Sequence, residues 1–136
     1  MKRTGGCLCG NIRYEADSEP VMSGVCHCKN CQKQAGSAFS TLSAFLKADF
    51  DVTGDLSLYE DSDTETNSTV KRYFFGKCGS PIHSEVPGQP DLAFVKTGTL
   101  DNTDDFVAMF HCWSSTKQVW VELNPDVPAF EQNPAS

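Results

Sequence analysis

The strongest constraint on this chain is a dense group of cysteines at residues 26–31, which read Cys-His-Cys-Lys-Asn-Cys. Thiolates placed this close together repel one another. A bound divalent cation removes that repulsion, because zinc is held tetrahedrally by thiolate sulfurs. Cys26, Cys28 and Cys31 are therefore predicted zinc ligands. Three ligands leave one corner of the tetrahedron open, and such an ion normally carries water or substrate there. The alternative is a structural site closed by a fourth residue that the spacing does not identify.

Three further cysteines lie in glycine-rich segments. Cys7 and Cys9 belong to residues 5–10, and Cys78 has glycines on both sides. Glycine tolerates positive φ, so these segments can turn tightly enough to point their sulfurs at one centre. The three thiols form a second candidate metal site, although a structural zinc site normally has four ligands. His83 is a weaker candidate for the fourth position, because a single histidine more often simply makes a hydrogen bond. Whether this site holds metal is left open.

Length and composition predict a single globular domain in the cytoplasm. The chain has 136 residues and a formal net charge of -7, which makes it a poor ligand for nucleic acids and anionic membrane surfaces. The N-terminal residues are not followed by an apolar run, so no secretory signal is expected, and no segment approaches the length of a membrane span. The seven cysteines are spaced as in metal sites rather than in a disulfide framework.

The local patterns predict a mainly β chain with short helical pieces. Residues 32–35 favour a helix of one or two turns ended by Gly36, and residues 61–68 indicate a solvated loop. Residues 48–53 and 56–59, on either side of a Gly-Asp pair, are predicted to form a hairpin. The other predicted strands are 11–16, 21–25, 38–45, 71–75, 82–86, 92–97, 107–113 and 119–123.

The domain organisation and two single residues also receive expectations. We expect residues 1–124 to form one zinc-binding domain, and residues 125–136, which include Pro134, to form a tail that lies over the surface or frays. His27 lies between two cysteines, and its side chain is expected to point away from them, at the surface or behind a ligand. Cys112 follows a histidine and is expected to pack in the core, as free cysteines commonly do.

Five short motifs follow one another along the chain. They are Gly-Gly-Cys-Leu-Cys-Gly at 5–10, the cysteine group at 26–31, Cys-Gly-Ser at 78–80, His111, and Lys-Gln-Val-Trp at 117–120. In this combination they resemble the glutathione-dependent formaldehyde-activating enzyme family, which is related to centromere protein V. The resemblance implies antiparallel sheets in the tent-like arrangement of Mss4-like proteins. It also implies two zinc sites: a structural one with four cysteines, and a three-cysteine one where the sulfur of glutathione binds.

One residue departs from the family pattern. The family has a cysteine where this chain has Phe75, three residues before Cys78. Because an aromatic ring cannot ligate zinc, the fourth position beside Cys7, Cys9 and Cys78 is filled by water or another side chain, or the site is empty. In an empty site the three cysteines would persist as thiols in a region packed partly by Phe75. The cysteine group at residues 26–31 is unaffected.

The resemblance implies a zinc-dependent carbon–sulfur lyase, similar to S-(hydroxymethyl)glutathione synthase, with the zinc-bound cysteine group at 26–31 as its catalytic centre. A thiol such as glutathione loses its proton on binding zinc and adds to, or is released from, formaldehyde or a related small electrophile. Its carboxylates need positive charge. Arg72 is the first candidate, because a guanidinium binds carboxylates bidentately, and Lys29 is the second. Lys33, Lys71 and Lys77 also lie near cysteine motifs, although each alone is more typical of a solvated lysine.

Two other function classes are weighed against the enzyme. A non-enzymatic zinc module, binding a protein partner or metal, would show four protein ligands at both sites and an exposed apolar patch. An enzyme would instead present an open zinc corner at the bottom of a pocket of a few hundred cubic ångströms. A chromatin or cytoskeletal role, as in centromere protein V, is disfavoured by the acidic balance of the chain and by the lack of a basic tail.

Overall fold

The computed structural model describes residues 2–62, 64 and 66–133. The described part contains ten strands, one α-helix and three short 3-10 helices. The strands are β1 (Arg3–Gly6), β2 (Arg13–Ala16), β3 (Met22–Cys26), β4 (Ser40–Leu46), β5 (Phe50–Thr53), β6 (Ser57–Asp61), β7 (Val70–Phe74), β8 (Pro81–Glu85), β9 (Leu92–Lys96) and β10 (His111–Cys112). The α-helix is α1 (Lys29–Ala35), and the 3-10 helices are Lys47–Asp49, Thr97–Thr99 and Ser114–Thr116.

The strands form two sheets. The smaller has the order β1-β2-β5, and the larger has the order β10-β3-β4-β9-β8-β7-β6. β10 runs parallel to β3, and all the other pairings are antiparallel. The predicted mainly β, antiparallel fold with short helical pieces is therefore confirmed. In the described part of the chain, no helix has the length and apolar character needed to cross a membrane.

Both sheets contribute to one main core. Tyr14 and Ala16 are buried while Arg13 and Glu15 are exposed, so β2 shows the period-two pattern of a half-buried strand. The other buried members of this core are Cys7, Ile12, Phe45, Phe75, Ile82, Val95 and Leu100. The main core thus reaches directly to the first of the glycine-rich cysteine segments.

The predicted hairpin at residues 48–53 and 56–59 is wrong. β5 pairs with β2 in the small sheet, whereas β6 pairs with β7 in the large one. Gly54 has a φ of +109°, and a Cβ at this position would lie 2.6 Å from the Cδ1 of Ile12. The turn therefore directs the chain from one sheet to the other, and each strand pairs with a partner that is not its neighbour across this turn.

The strand predicted at 119–123 is also wrong, and the one at 107–113 shrinks to β10. Val119 and Trp120 are exposed, by 96% and 69%. The edge of β10 is instead taken by the end of the chain: His111 N–H donates to the Pro128 carbonyl at 2.9 Å, and Phe130 N–H donates to the His111 carbonyl at 2.8 Å.

Backbone hydrogen bonds thus hold the predicted tail as far as Gln132, whose carbonyl accepts from Trp113 N–H at 2.9 Å. This part of the tail does not fray. Pro134 lies outside the described residues. The domain boundary between residues 1–124 and 125–136 stays a prediction.

Candidate metal centre

The structure brings Cys26, Cys28 and Cys31 together, with their sulfur atoms all within 4.8 Å of one another. Cys26 is the last residue of β3, Cys28 is the N-cap of α1, and Cys31 lies in the first turn of this helix. We call these three residues the 26–31 triad. All are free cysteines, and three sulfurs at this spacing can hold one soft divalent ion.

Helix α1 fixes the spacing of two of the three sulfurs. It begins three residues earlier than predicted, because the Cys28 sulfur accepts a hydrogen bond from Cys31 N–H at 3.2 Å and so caps the first turn. It ends, as predicted, at Gly36, whose φ of 65° lies in the left-handed region.

Two buried cations lie beside the triad. Arg72 on β7 is 5% exposed. Its Nη1 lies 4.0 Å from the Cys31 sulfur, and its Nε donates to Asp61 Oδ2 at 2.9 Å. Asn30 donates to the same carboxylate oxygen at 3.0 Å. The solvated loop predicted from residue 61 onward is therefore wrong at its start, because Asp61 ends β6 and is 5% exposed; residues 63 and 65 of that loop lie outside the described residues.

The second cation is Lys96, the last residue of β9, which is 6% exposed. Its Nζ donates to Ser40 Oγ at 2.7 Å. Burial lowers the pKa of Lys96, and the Cys31 thiolate opposes that shift. Neither Lys96 nor Asp61 is among the predicted site residues. In the sequence, Lys96 directly follows the apolar residues of β9. A lysine buried at the end of such a run needs a specific partner, and this pattern could have pointed to it.

The pKa values of the three thiols depend on one another. Hydrogen bonds from Cys26 and Cys28 hold the pKa of Cys31 below its ordinary value, and the two buried cations lower it further. The pKa of Cys28 is raised, because its hydrogen bonds with Cys26 and Cys31 favour its neutral form. Three thiolates and one divalent cation would together carry a single negative charge.

Cys112 packs against this triad rather than against the main core. It is buried, belongs to a small cluster with Cys26, Cys31 and Trp113, and lies opposite Cys26 in the pairing of β10 with β3. Its hydrogen bond is the main cause of the raised pKa of Cys26. The expected packing role is confirmed. Its sulfur does not join the group of three that lie within 4.8 Å.

His27 is fully buried, which excludes the surface alternative, and it does not join the three sulfurs as a ligand. Its Nε2 lies 3.0 Å from Nδ1 of His111. Its carbonyl accepts from Gln32 Nε2 at 2.6 Å and from Thr116 Oγ1 at 3.0 Å. These contacts tie the metal loop to α1 and to the segment after β10. His111, which the family motif singled out, therefore supports the loop through His27.

The structure also brings Cys7, Cys9 and Cys78 together, again with all sulfurs within 4.8 Å of one another. We call them the 7–78 triad. Cys7 and Cys9 lie in the turn between β1 and β2, and Cys78 lies in the turn between β7 and β8. Ile12 N–H donates to the Cys7 sulfur at 3.2 Å. The Ser80 hydroxyl and nearby backbone N–H groups lower the pKa of Cys78 to about 6. Thiolates so stabilised suit zinc.

The residue named as a weaker candidate for the fourth ligand of the 7–78 triad, His83, does not join its three sulfurs. Phe75 is buried in the core beside Cys7, with Cys78 packed against the same cluster. His83 is buried, and its ring stacks on Tyr73 with centroids 4.5 Å apart. Among the described residues, no His, Asp or Glu completes either cysteine group.

The predicted substrate-binding cations occupy different environments. Arg72 lies at the 26–31 triad but is buried and paired. Lys29 is exposed at the first position of α1, directly after Cys28, and the remaining lysine candidates, Lys33, Lys71 and Lys77, are exposed. Two cavities, of about 150 and 380 Å³, are lined by residues outside the 26–31 triad. Within the triad, Cys28 is half-buried, while Cys26 and Cys31 are buried.

Comparison with known proteins identifies the family. A family model described as glutathione-dependent formaldehyde-activating enzyme matches residues 2–116. The chain belongs to this family. The matched residues include both triads, Arg72 and Lys96, but end before the exposed Val119 and Trp120.

A solved structure supports the fold independently. The crystal structure of a Rhodobacter sphaeroides protein from a structural genomics programme is similar to this chain, with a TM-score of 0.59 and 20% sequence identity. The alignment covers 93% of this chain and 98% of that chain. At this identity the likeness concerns the fold alone. A search of curated proteins finds no significant match.

Proposed function

We propose that this member of the formaldehyde-activating family is a zinc-dependent carbon–sulfur lyase. It would activate a thiol such as glutathione for addition to formaldehyde or a related small electrophile, or for the reverse release. The observation that carries the proposal is the convergence of three sulfurs next to the buried cations Arg72 and Lys96. A bound zinc ion would supply a Lewis acid that deprotonates the incoming thiol. Family membership supports the thiol and the aldehyde as substrates.

The addition needs no oxidant or reductant. The S–H bond of the thiol breaks and an S–C bond forms at the aldehyde carbon. The thiol proton goes to solvent, the electron pair of the C=O π bond moves to oxygen, and that oxygen takes a proton from solvent, so the product is the S-hydroxymethyl adduct of the thiol, a hemithioacetal. The deprotonated thiol adds negative charge to the site, and Lys96 and Arg72 offset that charge at low dielectric. Asp61 and Asn30 hold Arg72 in place.

We also propose how the substrate carboxylates are held. Lys29 is exposed next to Cys28, so its ammonium group can reach a thiol bound at the triad. Arg72 is engaged by Asp61 and lies within 4.0 Å of the Cys31 sulfur. The position of Arg72 therefore supports stabilisation of the thiolates more than the carboxylate-binding role expected from the sequence.

The proposed partners are a small thiol and a small electrophile, without nucleic acid or membrane. The net charge of -7 supports this choice. The proposed compartment is the cytoplasm, because all seven cysteines are free and thiols persist in reducing surroundings.

The test combines zinc analysis, isothermal titration with glutathione, and detection of the S-hydroxymethyl product by NMR. Cys28→Ser should abolish thiol binding at this site and product formation, while circular dichroism shows the β fold retained. Cys112→Ala is the matched control, because Cys112 is buried beside the triad without belonging to it, and it should keep both properties. Equal loss in the two variants, or full activity of Cys28→Ser, would refute the proposal.

A non-enzymatic zinc module that binds a protein is the second candidate. It is favoured by the exposed apolar side chains of Val119 and Trp120 and by the two cavities, which lie away from the 26–31 triad. The three-sulfur ligand sets count against it, because such a module needs four protein ligands per ion. Zinc bound without any binding of thiol would favour the module.

A further inference from the structure

The 7–78 triad is the more accessible of the two cysteine groups. Cys9 is exposed and Cys78 is half-buried, while Cys7 is 8% exposed. Leu8, between the first two cysteines, is 87% exposed. In the 26–31 triad, by contrast, two of the three cysteines are buried. An ion held by the 7–78 triad would therefore lie at the surface.

Among the described residues, no His, Asp or Glu supplies a fourth donor to this ion. Ser80 Oγ lies 3.3 Å from the Cys78 sulfur and accepts a hydrogen bond from Leu8 N–H at 2.9 Å, but a neutral hydroxyl is not among the usual zinc ligands. Phe75 stands three residues before Cys78, and Gly79 N–H closes this turn onto the Phe75 carbonyl at 2.7 Å. A phenyl ring has no lone pair to give. The fourth corner is thus left to an external ligand.

We infer that the 7–78 triad is a second open metal site, whose zinc ion binds a small external thiol as its fourth ligand. A thiolate matches a zinc ion that already has three sulfur ligands, because soft donors suit such a centre. The added negative charge is tolerated because the site is solvated, where charges interact weakly. The cavity of about 380 Å³ lined by Ile12, Phe75 and Lys77 includes none of the three cysteines. Because Cys9 is exposed, the rest of a small thiol bound at this ion would extend into solvent.

This inference concerns a different triad from the one that carries the proposed function. If the 26–31 triad also binds metal and thiol, closing the open corner of the 7–78 triad halves the thiol response; if it does not, the response is abolished. On binding, the thiol S–H proton goes to solvent and a metal–sulfur bond forms in place of the bond to water. No electron transfer is involved. The zinc ion should also exchange faster than a four-sulfur ion, because an open corner admits competing ligands.

Phe75→Cys is the decisive variant, because it places a fourth thiol three residues before Cys78, the spacing typical of a zinc knuckle. Phe75→Leu is its matched control, since it also removes the ring but adds no donor. Both proteins and the wild type are loaded with Co²⁺, titrated with 2-mercaptoethanol, and followed by the visible d–d bands. A second experiment measures metal release to a competing chelator.

The wild type and Phe75→Leu should bind two metal ions per chain and respond to the thiol at both. Phe75→Cys should lose about half of the thiol-dependent absorbance change, since one of two open corners is closed. Its metal should be released at least tenfold more slowly from that site. Equal thiol responses in the two variants, or unchanged release from Phe75→Cys, would overturn the inference.

A second variant keeps Phe75 and tests the inference if Phe75→Cys does not fold. Cys9→Ser, at an exposed position, should lower the bound metal from two ions to one and halve the thiol response. Retention of two ions and of the full response would also refute an open site at the 7–78 triad. If the proposed enzymatic reaction is absent while these signals appear, only the function assigned to the 26–31 triad fails.

Discussion

Replacing Lys96 with methionine tests what the buried cations do at the 26–31 triad. Lys96 is 6% exposed and its Nζ donates to Ser40 Oγ at 2.7 Å. Three thiolates and a zinc ion would carry one net negative charge, and an incoming thiolate adds a second. Lys96→Met should therefore weaken thiol binding, and by more than it weakens zinc binding.

The size of the effect follows from the geometry of its neighbour. Arg72 Nη1 lies 4.0 Å from the Cys31 sulfur, and two unit charges at that distance interact by about 4 kcal/mol at an effective dielectric constant of about 20. This value is an upper limit for Lys96, whose hydrogen bond goes to Ser40 rather than to a sulfur. A contribution of about 1–2 kcal/mol is expected, which corresponds to a loss of roughly 5- to 30-fold in thiol affinity.

The assay is isothermal titration of the zinc-loaded protein with glutathione, alongside chelator competition for zinc. Lys33→Met is the matched control, because Lys33 lies on α1 and is exposed; it removes the same charge and should change neither affinity. Two results would refute the electrostatic reasoning. One is an equal loss of thiol affinity in both variants, and the other is a loss of zinc affinity in Lys96→Met as large as its loss of thiol affinity.

Two further predictions concern the fold. Burial lowers the pKa of His83 from 6.5 to about 4, so the unfolded chain binds more protons between these values and the free energy of unfolding falls as the pH drops through them. His83→Phe should remove about 2–3 kcal/mol of the fall between pH 7 and roughly pH 4.5, measured by urea unfolding; parallel falls in both proteins would contradict this. A Cβ at Gly5 would overlap the Thr99 carbonyl oxygen and the Tyr14 hydroxyl, whereas one at Gly88 meets nothing within 4 Å. Gly5→Ala should therefore destabilise by about 2 kcal/mol and Gly88→Ala by less than about 0.5 kcal/mol in the same assay, and similar values would be contrary to the prediction.

The course of the chain after residue 53 shows why some strand pairings could not be predicted. The Gly-Asp pair predicts a hairpin because turn chemistry is local, yet β5 and β6 pair in different sheets. Similarly, residues 119–123 have strand composition but leave Val119 and Trp120 exposed, since residues near Pro128 occupy the edge of β10. Which partner a strand chooses depends on burial across the whole fold, and no local window contains that information.

The sequence by itself determined the two cysteine triads, the mainly β class and the family. Ligand spacing within one short segment is a local property, and the motifs are specific in combination. Only the tertiary structure decided the electrical surroundings of the 26–31 triad: Asp61, Arg72 and Lys96 come from three strands and are buried together with Cys31. A charged residue in a strand looks the same in sequence whether it faces solvent or a thiolate, because its burial is set by the sheets that close around it.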